Sequence, residues 1–395
     1  MAYDEATQPL ERRVSIQDIT LREGQQAADV AFSIPEKVGL ATQLVDAGIT
    51  RIQAGYAGAD EETVSALKAI PGAVVSVLLV AFRDDWRAAA EKAAAAGVDV
   101  LMVLFRVAPS QLAAMGITEA QALEQIRSAV AVGRELVPEV SFDPSFVTLA
   151  DPGFLREVYS AAAEAGAQRF GVADSTGVAS PERIGELVRM VREVTGGGAV
   201  GVHCHDDFGL ALANTLAGLA AGADLADASV LGLGERAGNC AIEELALALQ
   251  VLYQVDAGVR LERLTALAQS VSQATGVPIP AAKAVVGADV FSQKLDMHVA
   301  LTQRDPSLLE PYPPQTVGNR RRLRLGVGTG PVAIKAKLAE LGLPEVDATA
   351  AAELAAWVNQ TALERKRGVT DAEFEERAGS AFSQALSDQP PPDRA

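Results

Sequence analysis

Residues 199–214 read AVGVHCHDDFGLALAN and contain one strand, one polar turn and the start of one helix. The run Ala199–His203 is typical of a short strand that is buried on both faces. Residues i and i+2 of a strand point to the same side, so His203 and His205 project together from its carboxyl end. The alanine- and leucine-rich residues that follow predict a helix ending near Gly222. The stretch therefore indicates one β/α unit with two imidazoles where its strand ends.

The same alternation of strand and helix runs through the first two-thirds of the chain. Eight short apolar strands are predicted, at Val14–Leu21, Arg51–Ala54, Val74–Ala81, Val98–Phe105, Val140–Ser145, Arg169–Ala173, Ala199–His203 and Ala226–Leu231. Eight strands alternating with helices over about 240 residues are the pattern of an α/β protein with a (β/α)8 TIM barrel. Periodicity alone leaves a doubly wound open sheet as the alternative, although no G-x-G-x-x-G motif follows the first strand.

The pattern changes after about Gly276, where proline clusters and a basic run precede three predicted helices at Pro331–Leu341, Ala348–Gln360 and Asp371–Leu386. We therefore assign residues 1–275 to a TIM-barrel domain and residues 276–388 to a separate, mainly helical C-terminal domain. Residues 389–395 are predicted to be a disordered tail, because they are rich in proline and polar residues.

Composition excludes several classes of protein. The 395 residues carry a net charge of −17, which argues against nucleic-acid binding because a phosphate backbone would be repelled. The apolar runs are too short to cross a bilayer, and no secretory signal is visible. The two cysteines are too few for a disulfide framework. These features predict a cytoplasmic protein with no membrane partner.

Two further strand ends carry polar groups that we expect to meet the two histidines. Strand one runs into Arg22 and Glu23, and Asn239 follows strand eight. Strands one, seven and eight are neighbours in a closed barrel, so these loops converge at the face that carries active sites. Two imidazoles, a carboxylate and an amide oxygen suit Zn²⁺, Mn²⁺, Co²⁺ or Mg²⁺. Taken alone, Arg22 and Glu23 would favour a surface ion pair, but their convergence with the two histidines favours the metal site.

Three motifs in this order resemble the DRE-TIM metallolyase superfamily, and within it the homocitrate synthase and 2-isopropylmalate synthase group. They are D-x-T-L-R-E-G at 18–24, H-C-H-D-D-x-G-L-A-x-A-N at 203–214 and G-L-G-E-R-A-G-N at 232–239. The resemblance continues into the C-terminal region, where residues 291–298 are similar to a segment with a catalytic histidine and residues 314–318 to the P-x-x-V-G that follows it.

The resemblance implies a role for each matching residue. Glu23, His203 and His205 match the metal ligands, and Asn239 matches a residue that approaches the metal directly or through water. The implied cofactor is a divalent ion, with acetyl-CoA as cosubstrate.

The resemblance also implies the catalytic and substrate-binding residues. Arg22 matches the arginine that stabilises negative charge on the keto oxygen of the substrate, and His298 matches a lid histidine that performs acid–base work on acetyl-CoA. We expect Gln26, Ser145 and Ser175 to bind the substrate together with Arg22. A homodimer that exchanges its lid domains is implied as well.

Several positions depart from the family pattern. Gln53 stands where I-E-x-G has a carboxylate, and the segment that begins at Ser145 lacks the acids and the arginine of E-D-x-x-R. Ser175 keeps a hydroxyl in the D-T-V-G segment, whereas Asp206 replaces an amide. The metal ligands and Arg22 are thus retained while the pocket walls differ, which makes 2-oxoglutarate a doubtful substrate.

We interpret the chain as an acyltransferase that converts an acyl group into an alkyl group on transfer. It condenses acetyl-CoA with an atypical 2-oxo acid in a Claisen reaction, giving an alkylmalate- or homocitrate-type product and free CoA. Three alternatives stay open: a 3-hydroxy-3-methylglutaryl-CoA lyase-like carbon–carbon lyase, a catalytically inactive metal-binding relative, and a non-enzymatic binding protein.

Overall fold

The computed structural model describes Leu10 and residues 12–387 of the chain, with side chains to residue 380. These residues form two compact units that divide between Ile279 and Pro280. The tail predicted at 389–395 lies outside the described residues.

The first unit is a closed barrel of eight parallel strands in sequence order. Each strand pairs with the next, and the first pairs with the eighth to close the barrel. The strands are β1 Ser15–Asp18, β2 Arg51–Tyr56, β3 Val74–Val80, β4 Val100–Arg106, β5 Glu139–Ser145, β6 Arg169–Asp174, β7 Ala199–Cys204 and β8 Leu225–Ala228. The predicted TIM barrel is confirmed, and the open sheet is excluded because no strand edge of the barrel is free.

Ten α-helices accompany these strands and cover the barrel. They are α1 Ile34–Asp46, α2 Glu61–Lys68, α3 Trp86–Ala95, α4 Pro109–Met115, α5 Glu119–Leu136, α6 Pro152–Glu164, α7 Pro181–Val194, α8 Ala211–Ala220, α9 Ile242–Val251 and α10 Leu264–Thr275. Local sequence fixes where several of them begin. The side chains of Ser33 and Glu36 form a capping box at the start of α1, and Asp151 caps the first backbone amides of α6.

Strands β1 and β8 end earlier than the sequence predicts. The amides of Arg22, Glu23 and Gly24 all donate to the carbonyl of Ile19 instead of to a neighbouring strand. A tight turn therefore follows β1. After β8 the chain enters a 3-10 turn at Val230–Gly232, in which Leu231 has a φ of +61°. These turns raise the polar residues that follow onto the rim of the barrel.

The second unit is mainly helical, as predicted. Its elements are β9 Ser292–Gln293, α11 Asp296–Arg304, β10 Arg322–Leu323, α12 Pro331–Glu340, α13 Ala348–Arg365 and α14 Asp371–Ser387. The last three helices are the three expected from the sequence. Its core packs apolar side chains of α12, α13 and α14, among them Ile334, Val358 and Phe374. Lys337 is buried there and pairs with Glu340 and Asp371, each at 3.0 Å.

None of the helices in the described part of the chain combines the length and the apolar character that a membrane span requires.

Candidate active site and metal centre

The turn after β1 places a guanidinium and a carboxylate at the rim of the barrel. Arg22 is 9% exposed and Glu23 is 2% exposed, and the two side chains contact each other. The Nε of Arg22 donates a hydrogen bond to the Oε1 of Gln53 at 2.5 Å. Gln53, the amide that departs from the family pattern, therefore orients the arginine without neutralising its charge.

The two histidines of the 199–214 stretch turn the same ring nitrogens towards each other. Their Nε2 atoms are 3.3 Å apart, and the Nε2 of His205 lies 3.9 Å from the Oε1 of Glu23. One ligand atom from each of Glu23, His203 and His205 lies within 4.8 Å of the other two. The structure therefore brings together the three residues that the sequence predicts as metal ligands.

Protonation is tuned by burial and by neighbouring charge. Burial, together with the nearby His203, lowers the pKa of His205 to about 4, so the His205 ring is neutral near pH 7. Burial alone would raise the pKa of Glu23, but Arg22 and the two histidines together hold it below its ordinary value. A neutral imidazole and an ionised carboxylate are the forms that bind a metal ion.

Asp227 of β8 is a residue of the site that sequence reasoning missed. Its Oδ2 lies 3.1 Å from the Nδ1 of His203, and its Oδ1 accepts a hydrogen bond from Gln17 at 3.0 Å. A carboxylate at Nδ1 keeps the proton there and leaves the Nε2 lone pair directed at His205. The available signal was an acid inside an otherwise apolar strand.

Asn239 is held beside the histidines by the loop that follows β8. It forms an isolated antiparallel bridge with His205 and is buried, and its side-chain amide lies 3.4 Å from the Nε2 of His203. Its Oδ1 has no hydrogen-bond partner among the described residues. The predicted fourth residue of the metal site is thus adjacent to the other three.

The donor set fits a divalent cation. The Nδ1 of His205 and the Oδ1 of Asn239 are both buried without a partner among the described residues, although buried polar atoms are normally hydrogen-bonded. Two imidazoles, a carboxylate and an amide oxygen are ligands that Zn²⁺, Mn²⁺ and Co²⁺ accept, and the carboxylate and amide also suit Mg²⁺.

A cavity of about 880 Å³ opens beside the cluster and is lined by Arg22, Glu23 and both histidines. The predicted substrate-binding residues Gln26, Ser145 and Ser175 all line it too. Gln26 donates to the hydroxyl of Tyr56 at 2.7 Å, and the Ser175 hydroxyl accepts from the amide of Phe146 at 2.8 Å. The Ser145 hydroxyl contacts the carbonyl of Phe105 at 3.4 Å. Their roles in substrate binding stay predictions.

Two other cavity residues had not been predicted from the sequence. Asp143 of β5 lines the cavity, and burial raises its pKa to about 7, against the lowering effect of Ser141. Thr176 lines the same cavity, and its hydroxyl has no hydrogen-bond partner among the described residues. Asp143 again was detectable as an acid within a predicted buried strand.

His298 lies in the second unit, on α11, where its side chain is partly exposed. Its assignment to acid–base work on acetyl-CoA stays a prediction.

Comparison with known proteins identifies the family. A family model described as HMGL-like matches residues 13–271. A probable 2-isopropylmalate synthase of Ignicoccus hospitalis is 36% identical over 341 residues, which cover 86% of this chain and 86% of that protein. The homocitrate synthase of Methanopyrus kandleri is 37% identical over 337 residues, covering 84% of this chain and 83% of that protein. This chain is similar in structure to hydroxymethylglutaryl-CoA lyase from Pseudomonas aeruginosa, with a TM-score of 0.58 over 69% of this chain and 95% of that one. At 23% identity, this likeness supports the fold and nothing further.

The fold and the site thus define a TIM-barrel protein of the metal-binding synthase type. The chain belongs to the HMGL-like family, as its motifs had indicated. Glu23, His203 and His205 form the metal-binding triad typical of that family. Relatives at this level of identity are acyltransferase-type synthases.

Proposed function

We propose that this chain catalyses a metal-dependent Claisen condensation of acetyl-CoA with a 2-oxo acid. With one water consumed, the reaction gives a 2-hydroxy-2-carboxymethyl acid and free CoA. The observation that carries the proposal is the convergence of Arg22 with Glu23, His203 and His205 beside one cavity. The relatives support the class of reaction but differ in the product that they are named for, so they leave the acceptor open.

Glu23, His203 and His205 would hold the divalent ion, and Asn239 would add its amide oxygen directly or through water. When bound, such an ion supplies Lewis-acid polarisation of the keto group. Asp227 keeps the His203 ring in the tautomer that such binding requires.

Arg22 stabilises the charge that develops when the keto carbon is attacked. Its Nε is tied to Gln53, and another nitrogen of its guanidinium contacts Glu23, so the group is fixed before the substrate arrives. A preorganised cation of this kind lowers the barrier because no reorganisation is needed as the alkoxide forms. The fork of the guanidinium also suits two substrate oxygens at once.

Removal of a proton from the acetyl methyl group requires a base with a pKa near neutral, and histidine suits this task. We assign it to His298. This assignment, a homodimer with exchanged lids and a cytoplasmic location all rest on the sequence and the resemblance.

The test is a CoA-release assay on the full chain with Zn²⁺, Mn²⁺, Co²⁺ or Mg²⁺ added in turn. Acceptors should span tail size and charge, including glyoxylate, pyruvate, 2-oxoisovalerate, oxaloacetate, 2-oxoglutarate and phosphonate analogues. We expect free thiol to appear with at least one acceptor, together with a product heavier than that acceptor by one acetic acid unit.

Glu23→Ala should abolish turnover with every acceptor, whereas the exposed control Glu157→Ala should retain it. Incubation with 3-hydroxy-3-methylglutaryl-CoA separates the lyase, because only a lyase releases acetyl-CoA from it. Absence of thiol release with all acceptors and metals, or cleavage of the lyase substrate alone, would refute the proposal.

A further inference from the structure

Asp143 is a carboxyl group in the cavity for which the proposed reaction has no use. Its side chain lines the cavity, and its Oδ2 is buried without a hydrogen-bond partner among the described residues. The cavity therefore holds an acceptor of hydrogen bonds that the described side chains leave unsatisfied.

The backbone of β6 makes room for this carboxyl group. A Cβ atom built on Gly171 would lie 2.4 Å from the Oδ1 of Asp143, so any side chain at position 171 would displace the acid. The carbonyl of Gly171 is itself fixed by the hydroxyl of Tyr159 at 2.6 Å. Asp143 thus occupies a space that the neighbouring strand leaves open.

No arginine of the cavity is committed to Asp143. The four arginines that line the cavity each contact another side chain: Arg22 contacts Gln53, Arg83 contacts Asp85, Arg106 contacts Gln111 and Arg236 contacts Asp207. Asp143 is therefore not one half of a structural ion pair in the described part of the chain.

The wall beside Asp143 is apolar. Leu104 is its register partner on β4, and Leu78, Val80 and Met102 line the same cavity. Besides burial, the charge of Asp227 raises the pKa of Asp143, whereas His203 and Arg22 lower it, and all three residues line the same cavity as Asp143. A substrate tail in this space meets hydrocarbon and the carboxyl group of Asp143, and Arg106, Ser145 and Asp227 line the same cavity.

Given the proposed condensation, on which this step rests, we propose that Asp143 selects the acceptor. The acceptor class is a 2-oxo acid with a short aliphatic tail that ends in a hydrogen-bond donor, such as a hydroxyl group. An apolar tail leaves the Oδ2 of Asp143 without a hydrogen-bond partner, and a carboxylate tail places two acids together. Sites built to bind a polar group discriminate strongly against the analogue that lacks it.

The test compares two acceptors of nearly equal size, 4-hydroxy-2-oxobutanoate and 2-oxopentanoate, which differ by a hydroxyl in place of a terminal methyl. For the wild type we expect kcat/KM to favour the hydroxyl tail by about tenfold or more. Asp143→Leu should remove this preference and raise turnover of 2-oxopentanoate. Asp143→Asn keeps a hydrogen-bonding group and should retain the preference while weakening the discrimination against 2-oxoglutarate.

Asp46→Asn, an exposed acid at the end of α1, serves as the matched control and should leave the ratio unchanged. Thermal unfolding shows whether Asp143→Leu folds, and Asp143→Asn carries the test if it does not. Two outcomes overturn this inference alone, provided that the wild type releases CoA. In one, the kcat/KM ratio of the wild type favours the methyl tail. In the other, Asp143→Asn discriminates against 2-oxoglutarate as strongly as the wild type does. Absence of CoA release from the wild type with every acceptor overturns the proposed function, and this inference with it.

Discussion

Asp227 offers a direct test of how the metal site is built, because it contacts His203 and is not itself one of the predicted metal ligands. In Asp227→Asn, the side-chain amide of Gln17, which donates to Asp227 at 3.0 Å in the wild type, donates its hydrogen bond to the new asparagine oxygen. The amide NH₂ then faces the Nδ1 of His203, where the carboxylate oxygen had been at 3.1 Å. Because an NH₂ group needs an acceptor, the ring proton is driven to Nε2, which is the atom that faces His205.

Loss of such a supporting contact lowers metal affinity by about 10- to 100-fold, which corresponds to roughly 1.4–2.8 kcal/mol. Titration calorimetry with Zn²⁺ and Mn²⁺, or competition with a chelator, measures the change in Kd. Asp224→Asn is the control, because Asp224 pairs with Arg192 and accepts from the amide of Val200 without contacting either histidine. A folded Asp227→Asn protein whose Kd stays within about twofold of wild type, on this scale of effects, would show that Asp227 does not set the tautomer.

Three further changes probe other parts of the structure. Gly238→Ala places a Cβ 1.9 Å from the carbonyl oxygen of Gly232 at a φ of +89°, and should lower the free energy of unfolding by about 1–3 kcal/mol in a denaturant titration. The control Gly39→Ala, whose added Cβ would have no atom within 4 Å, should not lower it. An equal loss of stability in both variants would contradict the predicted clash. Burial raises the pKa of Asp18 from 3.8 to about 7, so the folded protein retains a proton that the unfolded chain releases. The stability that comes from this bound proton is fully present below pH 3.8 and is lost as the pH rises through 7. An asparagine side chain does not titrate, so Asp18→Asn does not lose stability in this way as the pH rises. The difference in unfolding free energy between Asp18→Asn and the wild type should therefore rise by roughly 3 kcal/mol between about pH 5 and pH 8. A difference that does not change with pH would refute the raised pKa of Asp18. His298→Ala should suppress deuterium exchange at the acetyl methyl group of acetyl-CoA while acceptor binding persists, and unchanged exchange would remove His298 from the mechanism.

The strand and helix order was predictable from local pattern. Buried parallel strands are short apolar runs, and such runs recur eight times between helical stretches, which favours a barrel although periodicity alone leaves an open sheet as the alternative. The pairing of His203 with His205 was predictable for the same reason, since a period of two is a local property of a strand. The ends of β1 and β8 were less predictable, because the turn at Ile19 and the positive φ of Leu231 depend on hydrogen bonds that composition does not reveal.

The contacts that complete the site depend on register between distant strands. Gln17 and Asp227 are partners across the closure of the barrel, where β1 pairs with β8. Their separation in sequence is 210 residues, and a shift of one residue would turn either side chain out of the barrel. Asp143 poses the same problem, since its surroundings are set by β4 and β6. Sequence marks such residues only as acids in apolar strands and leaves their partners open.

The charges around the metal triad explain why a neutral amide at position 53 suits this chain. Glu23 is the only ionised carboxylate in the triad, and the His205 ring is neutral near pH 7. Gln53 holds Arg22 by a hydrogen bond to Nε and adds no negative charge, whereas a glutamate at that position would cancel the guanidinium. Arg22 therefore contacts one carboxylate, that of Glu23, instead of two, in a cavity where Asp143 has a pKa near 7 and is partly protonated. A substrate carboxylate placed beside Asp143 would bring two acids together, which agrees with the proposed 2-oxo acid whose tail is uncharged.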